Sequence, residues 1–321
     1  MVTIADIWAA RPIVAEVAVR TPLVRLRLPD APAEVYLKLE NLQPIGSFKL
    51  RGAHNAMRAL PMEELSRGVL TASAGNMAQG VAFGAQRLGI PCWVVVPDTA
   101  PETKIAAVKR MGGEVIPVPF DTWWRTFETR AYPGIDATFI HAFDDDRVMA
   151  GNGTIGLEIL EDLPDVETVL VPFGGGGLAC GIATALRALK PDTKVYATEA
   201  VNAAPLTPAF AAGKPVEIPY TPSFADGIAG KIVFPEMWAR ASALLDGAFT
   251  ATEEEMRGAV RLLAERNRVI AEGAGACPVA VALSGKAGGG KIVCVVSGGN
   301  IDFRVLAEIL SGQAAAQNVA S

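Results

Sequence analysis

Ile45-Gly46-Ser47-Phe48-Lys49-Leu50-Arg51-Gly52-Ala53 is the stretch that decides how the rest of this 321-residue chain is read. Before it, Val35 to Glu40 carries apolar residues at alternate positions, the period of a half-buried strand, and Pro44-Ile45-Gly46 is a turn that no helix could cross. After it, Leu50, Ala53, Met57 and Leu60 recur at spacings of three, four and three. That spacing predicts a helix with one buried stripe, for which Ser47 is a good N-cap. Lys49 then falls in the first turn, where the partial positive charge of a helix N-terminus offers a cation nothing. A lysine placed for helix stability would sit at the other end, and an isolated lysine is most often a solvated surface residue.

Outward from this stretch the chain repeats strand, loop and helix. Val69 to Ala72 is apolar, Ser73-Ala74-Gly75-Asn76 is turn chemistry, and Ala78 to Leu88 reads as a small-residue helix stopped by Gly89. Cys92 to Val96 is a continuous apolar run, as a strand covered on both faces requires. Pro101 opens a helix that Gly112-Gly113 ends, Glu114 to Pro119 is extended, and Asp121 to Tyr132 is amphipathic. Later units are larger: a helix from Gly153 to Leu163, a strand from Thr168 to Phe173, four glycines, a helix from Leu178 to Leu189 and a strand from Lys194 to Thr198. The proline-rich stretch from Ala203 to Gly230 is expected to be irregular with only short elements, and a helix is placed near Phe234 to Leu245. Thr252 with Glu255 spells a capping box, and Ile292 to Val296 is one more buried strand, ending at Ser297-Gly298-Gly299-Asn300. Residues 3 to 19 read as an N-terminal helix, and an Ala-rich tail follows Leu310. This alternation demands parallel sheets with helices on both faces.

Length and composition bound the function. Half of the residues are apolar and the net charge is −5 with both signs dispersed, which leaves neither a disordered chain nor a nucleic-acid footprint. The apolar runs are far shorter than the ~20 residues that span a bilayer, and the N-terminus lacks the pattern of a signal peptide, so a soluble cytoplasmic protein is expected. Cys92, Cys180, Cys277 and Cys294 stand far apart, which fits buried free thiols better than a zinc or redox site. Only His54, a helix-face residue, and His141, a strand-end one, are present, so a general base is sought among lysines and carboxylates. Asp144-Asp145-Asp146 is read as a solvated helix start and not as a metal cluster, since consecutive side chains diverge.

Gly174-Gly175-Gly176-Gly177, between a buried strand and a helix, can converge backbone amides at the positive end of the helix dipole, which is a phosphate cradle. Two other phosphate readings compete. Gly174, Gly176 and Ala179 with Glu199 satisfy a loose dinucleotide fingerprint, and Gly285 to Lys291 spells most of a P-loop but precedes its strand and lacks the final Ser/Thr. The latter is read as a surface turn.

Four separated segments resemble one family, in its order. Gly46 to Ala53 resembles the cofactor-lysine motif of the pyridoxal-phosphate enzymes of the tryptophan-synthase-β fold type, in the threonine/serine dehydratase branch. Ser73-Ala74-Gly75-Asn76-Met77-Ala78-Gln79-Gly80 resembles that branch's asparagine loop, Gly174 to Gly177 its tetraglycine loop, and Ser297 to Asn300 its pyridine-end motif. Gly153 to Glu158, Ala225-Asp226-Gly227 and Glu272 to Ala276 are similar to further family segments.

The resemblance implies two α/β domains, each an open twisted, mostly parallel sheet with helices on both faces, and pyridoxal 5'-phosphate in the cleft between them. Residues 1–60 plus 145–321 would form the large cofactor-binding domain and residues 61–144 a small mobile one. It implies that Lys49 forms the Schiff base, Phe48 packs on the ring, Asn76 bonds the ring 3-hydroxyl, Gly174, Gly175, Gly176 and Gly177 hold the phosphate, and Ser297 meets the pyridine nitrogen. A neutral hydroxyl there cannot keep the nitrogen protonated, which favours a short-lived carbanion that eliminates. Ser73 and the amides of its loop are the expected cradle for the substrate carboxylate.

The implied reaction is loss of water from a β-hydroxy L-amino acid, threonine, serine or a bulkier analogue such as phenylserine, to give a 2-oxo acid and ammonia. Departures from the pattern sharpen this. Ala74 stands where racemases of this fold have a second serine, so little racemisation is expected; Met77 stands where dehydratases usually have histidine, which implies a less polar substrate pocket. The segment resembling a divalent-metal site has Glu199 and Ala203 but Pro205 in place of a carboxylate, so no metal is expected. A homodimer is the family expectation. The competing readings are a β-replacement enzyme of the same fold, a nicotinamide-dependent oxidoreductase using the Gly174 loop, and a binding protein that keeps the fold without turnover.

Overall fold

The computed structural model describes residues 1–312; the end of the Ala-rich tail lies outside them. Ten strands form two sheets: β1 (Leu23–Arg25), β2 (Glu34–Lys38), β3 (Val69–Ala72), β4 (Cys92–Pro97), β5 (Glu114–Val118), β6 (Thr138–Phe139), β7 (Thr168–Pro172), β8 (Lys194–Ala200), β9 (Gly247–Ala251) and β10 (Lys291–Val295). The larger sheet has the order β1-β2-β10-β7-β8-β9 and the smaller β5-β4-β3-β6. Every pairing is parallel except β1 with β2. The strands of the smaller sheet are consecutive in sequence, from 69 to 139, and interrupt the larger one between β2 and β7.

The apolar runs have the predicted cause. In β7, Val169 and Val171 enter one buried cluster with Ile182 and Val293, while Leu170 enters another with Leu37, Val279 and Cys294. In the smaller sheet Val94 and Val96 go one way and Val95 the other. Alternate residues of one strand thus feed two cores, because helices cover both faces. Cys92, Cys180, Cys277 and Cys294 are all buried free thiols.

Strand order also places the loops. β2, β10 and β7 are neighbours, so the segments that leave their carboxyl ends, leading to Lys49, Ser297 and Gly174, emerge along one edge. β3 and β6 are neighbours too, and release Ser73 to Asn76 and His141 to Asp144. Ligand sites of open parallel sheets lie at such carboxyl ends.

Several local expectations change. The lysine helix runs from Lys49 to Arg58 with Phe48 at the cap; the Ser47 hydroxyl caps nothing, because Ser47 is held in a bridge with Gly298 and is wholly buried. The first helix is Ile4–Val14, shorter than residues 3 to 19; the stretch from Ala203 to Gly230 keeps to short elements, as expected, among them the helix Leu206–Ala212. β9 was not expected: it is a half-buried edge strand that starts at a glycine and has no continuous apolar run to betray it. The Thr252–Glu255 capping box forms, and Asp145 caps the Asp146–Asp162 helix whose Asp146 pairs with Arg240, as expected of a helix start. Gly285 to Gly290 is a turn that leads into β10 at Lys291, with the Gly288 amide donating to the Gly285 carbonyl.

Candidate functional site

The lysine helix is seated by a buried charge cluster. Two residues beyond Lys49, Arg51 donates to Glu40 at 2.8 and 2.9 Å and to Glu158 at 2.7 and 2.9 Å, and Lys38 reaches Glu158 at 2.5 Å. All four side chains are nearly sealed from water, two cations against two carboxylates from four separate elements. Removing one partner would leave a charge buried and unmatched, at a cost of about 3–5 kcal/mol.

Lys49 is half-buried and turns its amine inward, where Nζ donates to the Ala142 carbonyl at 2.8 Å and lies 5.1 Å from the Phe48 ring centroid. Burial pulls its pKa down to about 8, against the opposing pull of the Glu272 charge. Phe48 itself is core, and its amide donates to the Ser297 carbonyl at 3.0 Å, which joins the lysine motif to the Ser297 motif.

Asn76 begins the helix Asn76–Leu88 and is gripped from both sides. Its Nδ2 donates to Glu272 Oε1 at 2.8 Å and its Oδ1 accepts from Asn300 Nδ2 at 2.7 Å. Glu272 stands at the cap of the helix Gly273–Leu283, its amide bonded to the Gly298 carbonyl. Burial raises its carboxyl to about pH 7, the Asn76 bond opposing and the Asp226 charge adding to the rise. Asp226 forms an ion pair with Lys104 of the helix Glu102–Arg110, which connects the elements around the two sheets.

The four glycines join β7 to the helix Gly177–Leu189. A Cβ at Gly175 would lie 2.0 Å from the Phe143 ring, at Gly177 2.8 Å from the Phe143 backbone, and at Gly174 2.7 Å from the Gly227 carbonyl. Gly176 has φ +91°, a conformation that side chains resist. Among the described residues the amides of Gly174 to Gly177 have no protein acceptor. A helix N-terminus with free donors and room for no side chain is built for an anion, and fits a phosphate group. The amides of Asn76, Met77 and Ala78 likewise lack acceptors, while the Gly75 amide donates to Ser73 Oγ at 3.2 Å.

The contacts close into a ring: Lys49 to Ala142, Phe143 to Gly175, Gly174 to Gly227, Asn76 to Glu272, Asn300 to Asn76 and to the Ile45 carbonyl before Lys49. Lys49, Asn76, the glycines and Ser297 therefore share one site. Sequence reasoning passed over Ala142, Phe143 and Glu272. Glu272 lay inside a recognised segment, and a carboxylate placed before Gly-Ala-Gly-Ala was its available signal; Ala142 acts through its carbonyl and gives none. His141 ends up neutral, its pKa pushed down to about 4 chiefly by burial, with Nδ1 accepting from the Phe143 and Asp144 amides at 3.3 and 2.8 Å. His54 is on a helix face, as expected, against Glu16.

One expectation and one competing reading fail on geometry. Met77 lies in the apolar core of the smaller sheet with Ala78, Val81 and Val94, 2 % exposed, so it lends the site no surface. Glu199 is wholly buried and spends both oxygens on the start of the Leu206–Ala212 helix, accepting from the Leu206 amide (2.8 Å), the Thr207 amide (2.9 Å) and the Thr207 hydroxyl (2.7 Å). It has nothing left for the ribose of a dinucleotide.

Comparison with known proteins gives the family. The profile of a family described as "Pyridoxal-phosphate dependent enzyme" matches residues 14–298. The chain is 44% identical over 280 residues to an L-threonine ammonia-lyase of Geobacter sulfurreducens, covering 86% of this chain and 69% of that one. It is 40% identical over 316 residues to an L-threonine ammonia-lyase of Thermotoga maritima, covering 97% and 79%. Among solved structures, maize serine racemase superposes with a TM-score of 0.89 at 32% identity, covering 97% of each chain.

Proposed function

We infer, from the premise that the chain belongs to the pyridoxal-phosphate-dependent enzyme family, that it is a dehydratase which removes water from a β-hydroxy L-amino acid and releases ammonia. The observation that carries this reading is the inward-turned Lys49 amine, kept partly neutral near pH 8 beside a glycine loop with free amides. Threonine leads as substrate because relatives at 44% and 40% identity bear its name; serine and phenylserine follow. The same relatives leave β-replacement and nicotinamide chemistry without support.

Lys49 would carry the cofactor's aldehyde carbon, the amides of Gly174 to Gly177 its phosphate, Asn76 its 3-hydroxyl and Ser297 its ring nitrogen, with Phe48 against the ring. Bound pyridoxal phosphate supplies an electron sink for the α-carbon. The residues do the rest. The free amides of Asn76, Met77 and Ala78, with Ser73 ordering their loop, hold the substrate carboxylate at a positive helix end. Lys49 Nζ takes the α-proton, for which a low pKa is needed, and the β-hydroxyl leaves as water on receiving a proton. In balance, the β-hydroxy amino acid becomes a 2-oxo acid and ammonia. Glu272 orients Asn76 and sets the field at Lys49. Ala74 offers no second base for returning a proton to the other face, so racemisation stays far below elimination.

We divide the chain into 1–60 plus 145–321 and a smaller unit of 61–144, on the support of the two sheets. A homodimer in the cytoplasm completes the reading; four buried cysteines with no disulfide among the described residues support a reducing compartment. No described helix is long and apolar enough to cross a membrane.

Lys49→Ala tests the reading. The visible band of the holoenzyme, removable by borohydride, is expected to vanish, and ammonia release from threonine, serine and phenylserine to fall by about 10³-fold or more. Equal turnover by the variant would overturn it.

A further inference from the structure

A cavity of about 320 Å³ lies behind the segment that holds the lysine amine. We propose that it binds a small organic cation bearing a neutral oxygen, of the chemistry of an alkylammonium alcohol. The rings of Phe127, Phe143 and Phe234 line it, with mutual centroid distances of 5.7 to 6.4 Å. Such faces attract a cation that has shed its water. The charges agree: Glu128 and Glu236 line the same space, and the one guanidinium there, Arg130, is already neutralised by Asp144 at 2.6 Å. An anion would meet uncompensated carboxylates.

His141 supplies the neutral-oxygen requirement. It is 95% buried, since only 5% is exposed, and it lines the cavity. Its Nδ1 accepts two backbone amides, so the ring proton sits on Nε2, and that N–H has no protein acceptor among the described residues. That nitrogen is not sealed from water, so an occupant that displaces its water from the space His141 lines must offer an acceptor in its place.

The position matters because one segment has two sides. His141, Phe143 and Asp144 wall the cavity, while Ala142 holds the Lys49 amine and the Phe143 ring lies on Gly175. Phe127 and Glu128 come from the helix Phe120–Thr129 beside the smaller sheet, Phe234 and Glu236 from the start of the helix Pro235–Leu244 beside the larger one. An occupant therefore bridges both, outside the ring of residues around Lys49.

Choline is the probe, since a quaternary ammonium cannot condense with an aldehyde, and 3,3-dimethylbutan-1-ol is its uncharged isostere. In the holoenzyme, fluorescence of the neighbouring Trp123 and Trp124 is expected to change saturably with choline, with a midpoint in the millimolar range or below. The alcohol should bind about tenfold more weakly. Glu128→Gln/Glu236→Gln should weaken choline by about tenfold while ammonia release from threonine stays at the wild-type rate, which shows the variant is folded. Equal binding of the alcohol, an unchanged midpoint in the variant, no saturation by about 100 mM, or a KM for threonine that rises with choline would each overturn the proposal. The binding readouts do not presuppose the dehydratase reading; the folding control and the KM comparison rest on it, and in both any other turnover of the site serves.

Discussion

Two helix N-termini face the same site and are built in opposite ways. At Gly174 to Gly177 every added Cβ would strike a neighbour within 3.0 Å, whereas at Gly75, before the Asn76 helix, it would meet nothing within 4 Å. Both ends offer free amides, so both attract anions. The jammed one suits a group that stays, the open one a group that comes and goes. A third terminus, that of Leu206–Ala212, is filled by the chain's own Glu199 and can take neither.

The sharpest way to break this contrast is Gly175→Ala. Its methyl group must displace the Phe143 ring, at about 1–3 kcal/mol, so retention of pyridoxal phosphate in equilibrium dialysis should fall about ten- to hundredfold. Retention at the wild-type level would mean that the loop is not jammed at all.

Next in size is the electrostatic link between the two ends. Glu272 has a folded pKa of about 7 against an ordinary 4.5, so it favours the folded state when protonated. That contribution is complete below pH 4.5 and is lost as pH rises through 7, a swing on the order of 3 kcal/mol. Glu272→Gln removes it. In cofactor-free protein, the stability of the variant relative to wild type, followed by urea unfolding, should improve from pH 4.5 to pH 7; a constant difference would show that the carboxyl is not desolvated.

Smaller effects sharpen the other termini. Glu199→Gln should cost about 1–3 kcal/mol by spoiling bonds to the helix start, and chelation with EDTA should leave ammonia release unchanged, since that carboxylate is already committed. Activity that EDTA abolishes and a divalent ion restores would contradict it. The smallest change is Gly75→Ala, with stability within about 0.5 kcal/mol of wild type and cofactor retained, but KM for the substrate raised because the methyl group enters open space.

What the sequence showed and hid follows the range of the interactions. Strand runs such as Cys92 to Val96 and caps such as Thr252 with Glu255 are local, and the structure has them. Lys49, Asn76, Gly174 to Gly177 and Ser297 could be grouped through a family's motif order. Ser47 failed as a cap because Gly298, some 250 residues away in sequence, claims its backbone; Met77 failed as a pocket residue because its direction depends on how the helix Asn76–Leu88 packs. The Ala142 carbonyl is invisible to any reading of side chains, and β9 has too little apolar character for its period to register.

The cluster of Lys38, Glu40, Arg51 and Glu158 has a consequence for media of different ionic strength. Its charges are matched in number and shut away from ions, whereas Lys104 is half-buried and Asp226 exposed, so their pair is open to screening. Added electrolyte would loosen the outer pair and leave the lysine helix anchored, so a brine would change how the elements around the two sheets meet without shifting the seat of Lys49.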